Sequence, residues 1–189
     1  KDFPVDMGGF IATRREDLYY RFLDFTMLAG EGLSVDAKAR LYKAVRKSFC
    51  HERMTRRRVH LTKRFWQRLA AENLPVVYPA SGYAVFINSR ELLEVLSEEQ
   101  FPERAFLARL YVESGILGGE NMLTPEQKKH SMRMLRFIIP PGRYSNRIID
   151  YTAKHISSLW HRRREIRGLK QTYVPPCRSG EFMAHYEPD

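Results

Sequence analysis

The sequence predicts an α+β unit in which helices cover one face of an antiparallel sheet. Two observations carry that reading. The apolar spacing changes from a helical period to a period of two once the chain passes Leu74-Pro75, and the elements follow the order helix, strand, strand, helix, helix, strand, helix. Glycine and proline punctuate the joints between them.

Taken in order, Pro4, Gly8 and Gly9 frame the apolar run Phe10-Ile11-Ala12, the profile of a turn leading into a buried strand. From Arg15 to Met27, Leu18, Tyr19, Phe22, Leu23 and Phe25 fall close to one helical face. Glu16 and Asp17 occupy the first turn, where the helix dipole favours acids. Ala29-Gly30-Glu31-Gly32-Leu33 breaks that helix. Ser34 and Asp36 are candidate N-caps for a long helix from about Ala37 to Asn73, with Leu41, Val45, Phe49, Val59, Trp66 and Leu69 on one side. Val76-Val77-Tyr78 and Tyr83 to Asn88 then read as two short strands joined by a tight turn. Helical patterns return at Ser89 to Glu99 and, after Pro102, at Glu103 to Glu113. Met132 to Ile139 makes a third strand, stopped by Pro140-Pro141-Gly142. Asn146 caps a helix running to about Arg167, and a weak final strand lies near Phe182 to Tyr186.

The chain has 189 residues, of which 43% are hydrophobic and 12% aromatic, enough apolar surface to offset ordering entropy. This length suits one large domain or two small ones. A boundary within the long helix separates residues 1–45 from residues 46–189. The apolar stretch from Met134 to Ile139, broken by Arg136, falls far short of the roughly 20 residues that cross a bilayer, and no membrane association is expected. Two cysteines, Cys50 and Cys177, make no disulfide framework and match no zinc spacing, so a cytoplasmic location is expected.

With 32 Lys and Arg against 22 Asp and Glu, the formal net charge is +10. Arg53, Arg56, Arg57 and Arg58, followed by Lys63, Arg64 and Arg68 with Phe65 and Trp66 interleaved, raise the question of nucleic-acid binding. A solvated helix face with Trp66 in the core is the favoured reading. Arg162, Arg163 and Arg164 likewise suit a helix C-terminus, where cations complement the dipole. His51, His60, His130, His155, His161 and His185 form no ligand pattern. Arg136 is different. An arginine in the middle of an apolar strand is expensive to bury without an anionic partner, so it calls for a carboxylate or phosphate, supplied either by a structural salt bridge or by a ligand.

Lys1-Asp2-Phe3-Pro4-Val5-Asp6-Met7-Gly8-Gly9-Phe10 resembles the active-site lysine stretch of the tryptophanase and tyrosine phenol-lyase family of β-eliminating lyases. Collinear matches follow at Leu74 to Pro79, Gly82 to Ile87, Phe101-Pro102, Leu110 to Ile116, Leu135 to Pro140 and Glu165 to Lys170 before Tyr173. The resemblance therefore covers nearly the whole chain.

That resemblance implies an α/β fold of the aspartate-aminotransferase-like kind, pyridoxal-phosphate fold type I. Residues 1–45 would be the end of the large cofactor-binding domain and residues 46–189 an α+β small domain. It implies pyridoxal 5′-phosphate as cofactor, with Lys1 as the Schiff-base lysine and Arg136 clamping the α-carboxylate of an amino-acid substrate. It also implies a monovalent cation such as K+, bound by the backbone carbonyl of Asp6. Asn121 stands where phenol-lyases carry an arginine that contacts the leaving group, and the tail near Phe182 converges on the same end of the substrate. Ser81-Gly82-Tyr83 replaces the family's Gly-Gly-His. The phosphate-binding loop must come from a preceding segment or a second chain, and an oligomer is expected. The expected activity is β-elimination, or related carbanion chemistry, on a β-substituted amino acid. A noncatalytic subunit of such an assembly is the alternative, and a basic nucleic-acid-binding domain ranks last.

Overall fold

A computed structural model describes residues 5, 8–29, 32–50, 52–120, 133–142, 144–177 and 180–189. Two units form, Lys1–Arg57 with Pro140–Gly142, and Arg58–Ile139 with Arg143–Asp189.

The first unit holds α1 (Glu16–Leu28) and α2 (Val35–Cys50). The Ser34 hydroxyl accepts from the Ala37 backbone N–H at 3.2 Å, so the expected cap is in place. α2 buries Ala37, Leu41 and Ala44, whereas α1 buries nothing and leaves Tyr19, Phe22 and Phe25 exposed. The strand expected at Phe10-Ile11-Ala12 does not form. Phe10 and Ile11 are exposed, and the run pairs with no strand among the described residues. Gly8 sits at φ +101°, a backbone conformation strained for any other residue, and a Cβ there would also require Leu33 to shift from 2.7 Å.

The long helix expected over Ala37 to Asn73 is described as α2 and α3 (Glu52–Ala71), with residue 51 outside the description. Leu61, Phe65 and Leu69 of α3 enter the core of the second unit. Asn73 ends the helical run in the left-handed region at φ 59°, and the Leu74 N–H returns to the Leu69 carbonyl at 3.1 Å.

The second unit is built on a three-stranded antiparallel sheet, β1 (Ala84–Asn88), β2 (Gly119–Glu120) and β3 (Met134–Ile138), in the order β1-β3-β2. Val85 and Ile87 pair with Phe137 and Leu135, and all four are buried on one face. Against that face pack α3, α4 (Pro102–Ser114) and α5 (Asn146–His161), with Phe65 edge-on to Phe137 and Phe106 edge-on to Trp160. The mixed architecture of helices and antiparallel strands agrees with the change of period in the sequence.

Several elements differ from expectation, each for a local reason. Val76-Val77-Tyr78 makes only a bridge from Val76 to Ile87, because the flanking prolines at 75 and 79 lack the N–H a ladder needs. Ser89 to Glu99 is two short 3-10 turns, Arg90–Glu94 and Glu98–Gln100. Ser97 is extended and closes a capping box with Gln100, which starts the second turn afresh. α5 is capped by Ser145 rather than Asn146, the Ser145 hydroxyl accepting from the Ile148 N–H. It stops at His161 instead of Arg167, where the Arg163 guanidinium donates to the Trp160 carbonyl at 3.1 Å and takes one of the helix-end acceptors. A hairpin of β4 (Leu169–Tyr173) and β5 (His185–Pro188) closes the chain. No helix among the described residues is long and apolar enough to cross a membrane.

Candidate functional site

β3 is the middle strand of its sheet, and its side chains alternate strictly. Leu135 and Phe137 point into the helix layer, and Met134, Arg136 and Ile138 are half-buried on the opposite face. Arg136 has Phe86 of β1 as its cross-strand neighbour on one side and Gly119 of β2 on the other. A Cβ built at Gly119 would lie 3.6 Å from Arg136 Nη2 and 3.9 Å from Nε. The guanidinium thus lies beside bare backbone, and any side chain longer than alanine at that position would begin over it.

Arg136 Nε is buried, and among the described residues it has no hydrogen-bond partner and no carboxylate pairs with the group. The nearby acids are committed elsewhere. Glu120, one residue from Gly119, has the opposite parity and is held by Arg104, whose Nε donates to Oε1 at 2.8 Å. Arg104 also stacks over the Tyr186 ring, 4.4 Å from its centroid. Glu103 is buried and receives two bonds of 2.6 Å from Arg133, together with the Ser89 hydroxyl at 2.8 Å. Burial pushes the Glu103 carboxyl up, and the Arg133 fork and the Ser89 hydroxyl overcome that push and leave it below the usual carboxylate range. Glu98 takes the remaining donor of Arg133 at 2.5 Å.

The basic clusters are largely occupied by such pairs. Arg58 is buried, donates from Nε to the Ile139 carbonyl at 2.7 Å and stacks over Tyr83. Arg64 binds Asp150 through both carboxylate oxygens. Arg162 pairs with Glu113 and Glu165, and Arg163 with Glu91. Trp66 is partly buried and donates to the Val77 carbonyl at 2.9 Å, so its indole serves packing.

Of the other residues singled out from the sequence, Lys1, Asp6 and Asn121 lie outside the described residues, and Phe182 falls in the short 3-10 helix Gly180–Met183. Phe86 and Gly119 were missed as neighbours of Arg136. The strand legible at Tyr83 to Asn88 placed Phe86 in the sheet without its register; the two-residue β2 carried no signal.

Comparison with known proteins adds a second line of evidence. No protein-family model matches the chain. A tyrosine phenol-lyase of Symbiobacterium sp. (strain SC-1) is 30% identical over an alignment of 206 residues that spans 100% of this chain and 43% of the relative. The chain is similar to tyrosine phenol-lyases. Those of Lacrimispora saccharolytica and Clostridium tetani are 29% and 27% identical, over 100% and 93% of this chain and 43% and 41% of their own lengths. The chain therefore spans less than half the length of these tyrosine phenol-lyases. The alignments run through the sheet and helices just described, so Arg136 lies inside the segment shared with them.

Proposed function

We propose that this chain is the C-terminal portion, or a subunit, of a pyridoxal-phosphate-dependent lyase of the tryptophanase and tyrosine phenol-lyase kind, acting by β-elimination on a β-substituted amino acid. Residues 1–45 would close the large cofactor-binding domain and residues 46–189 form the small one. The observation that carries the reading is Arg136: a half-buried guanidinium on the sheet face away from the helices, with a buried Nε that no described group satisfies. A buried donor without a partner costs about 1–3 kcal/mol, and a substrate carboxylate would remove that cost while matching the planar fork.

In this reading Arg136 binds the α-carboxylate through two parallel N–H bonds and so restricts rotation of the substrate about its α-carbon. Phe86 walls one side of that position, and Gly119 leaves the other open. Lys1 would hold the cofactor covalently and afterwards carry the α-proton on its amine. When bound, pyridoxal phosphate supplies an electron sink for charge at the α-carbon. The Asp6 carbonyl would face a monovalent cation, and Asn121 and Phe182 would meet the β-substituent. Asn121 donates hydrogen bonds but brings no charge, which suits a polar or intrinsically good leaving group better than a developing phenolate. The net reaction takes up one water and releases the protonated leaving group, pyruvate and ammonia.

The test uses the complete enzyme, with the polypeptide that carries the phosphate site. Pyruvate release is measured from small β-substituted amino acids, tyrosine and tryptophan, and borohydride is used to fix the cofactor to Lys1. Turnover of the small substrates, with Arg136→Lys raising KM strongly while Lys1 still becomes labelled, supports the assignment. Unchanged kinetics in Arg136→Lys would refute the clamp. Labelling of Lys1 without pyruvate from any substrate would instead support the noncatalytic subunit.

A further inference from the structure

The two cross-strand neighbours of Arg136 are not equally fixed. Phe86 belongs to β1, which pairs with β3 along its whole length, from Ala84 opposite Ile138 to Asn88 opposite Met134. Gly119 belongs to β2, which pairs at two positions only, Gly119 opposite Arg136 and Glu120 opposite Leu135. Gly118 precedes it, so from Gly118 to the end of the strand Glu120 carries the only side chain that can anchor this edge. Whatever holds Glu120 therefore sets where the Gly119 backbone stands beside the Arg136 guanidinium.

Arg104 of α4 holds it. Its Nε donates to Glu120 Oε1 at 2.8 Å, and Nη2 donates to the same oxygen. The remaining nitrogen, Nη1, donates to the Tyr186 hydroxyl, which also receives Gln171 Nε2 at 2.9 Å. The guanidinium lies over the Tyr186 ring and 5.7 Å from the centroid of Phe101. Phe101, just ahead of α4, is in the left-handed region at φ 50°, a strained conformation for an aromatic residue, and there its ring stands edge-on to Tyr186 at 5.0 Å. A planar fork can bond a carboxylate and a hydroxyl while stacking on a ring, which an ammonium cannot do.

We propose that Arg104 is a positioning residue for the carboxylate site: acting through Glu120, it keeps the Gly119 backbone in place beside Arg136. This rests on the reading that Arg136 binds a substrate carboxylate. Arg104 meets no substrate itself. Glu120 has the opposite parity to Gly119, so the pair lies on the other side of the sheet and acts on Arg136 only through the placement of β2. Without the pair, β2 is held by its ladder alone. Arg136 then gains rotamers that a bound carboxylate must freeze, which weakens binding about two- to tenfold.

The test uses the complete enzyme, with β-chloroalanine as substrate and alanine, which has no β-substituent to lose, as competitive inhibitor. Arg104→Gln is expected to raise KM for β-chloroalanine and Ki for alanine together, about two- to tenfold, with kcat unchanged. Arg104→Lys should recover part of the loss, since it keeps the charge opposite Glu120 but not the fork. Tyr186→Phe keeps the ring and removes only the hydroxyl, so it folds and shifts KM and Ki in the same direction by less; it decides the matter should Arg104→Gln fail to fold. Arg136→Lys separates the two levels of the reasoning. If it raises KM and Ki while Arg104→Gln and Tyr186→Phe leave both unchanged, or lower only thermal stability or kcat, Arg104 is a structural ion pair and the proposal is overturned alone. If Arg136→Lys also leaves both unchanged, the carboxylate reading fails and the role of Arg104 falls with it.

Discussion

Replacing Arg136 with methionine should make the second unit more stable. The two possible origins of an arginine in an apolar strand give opposite signs. Breaking a buried ion pair costs about 3–5 kcal/mol, because the abandoned acid stays buried. Here no described acid is abandoned, and the substitution removes a buried Nε that lacks a partner, whose burden is about 1–3 kcal/mol. Methionine keeps an unbranched stem of similar reach, so little packing is lost on this half-buried face. The expected net gain is about 1–2 kcal/mol, which for a chain of this size raises Tm by about 2–8 °C. Thermal and urea unfolding followed by tryptophan fluorescence reads it, since Trp66 and Trp160 both lie in the second unit. A loss of about 3 kcal/mol would show that Arg136 is held by an ion pair, and a change within error would mean that water already reaches Nε.

Other outcomes follow from the same contacts. Arg133→Ala should cost about 3–5 kcal/mol by urea denaturation, because it leaves Glu103 buried without its fork. Since Glu103 is held below the usual carboxylate range, its contribution is complete above about pH 4.3 and is lost as pH falls through the depressed value; acid unfolding curves should flatten in Glu103→Gln. Phe106→Ala, which removes a fully buried ring packed against Trp160, should cost about 3–5 kcal/mol in the same assay. Gly119→Val should leave folding intact, because β-branched residues suit strands, yet raise KM in the complete enzyme by covering the guanidinium; an unchanged KM would show that the carboxylate does not approach from that side.

Strands β1 and β3 were legible as short apolar runs rich in β-branched and aromatic residues and bounded by turn signals, and the start of α2 was legible because Ser34 is a capping residue at a helical boundary. β4 was not, since Leu169 to Tyr173 is a mostly exposed strand without an apolar face to betray its period. The loss of helix at Ser89 to Glu99 turns on one extended residue, Ser97, inside a pattern whose buried Leu92 and Leu96 keep helical spacing. For the site, the sequence marks Arg136 as a cation in an apolar run but is silent on which arginine finds an acid. Arg133 does, through Glu98 and Glu103, which lie 35 and 30 residues away along the chain, and pairings of that range are made by tertiary structure alone. The assignments of Lys1, Asp6 and Asn121 came from resemblance to a family, because their neighbours in space are not their neighbours in sequence.

The strict alternation of β3 also determines which genetic changes the protein can survive. Removing or adding one residue inverts every side chain on one side of the change: at Met134 it would turn Arg136 toward the helix layer and Leu135 and Phe137 outward. The core and the carboxylate-binding position proposed for Arg136 would be lost together in one event. Point substitution at Arg136 touches only the second of these, so this strand should tolerate changes of identity far better than changes of length.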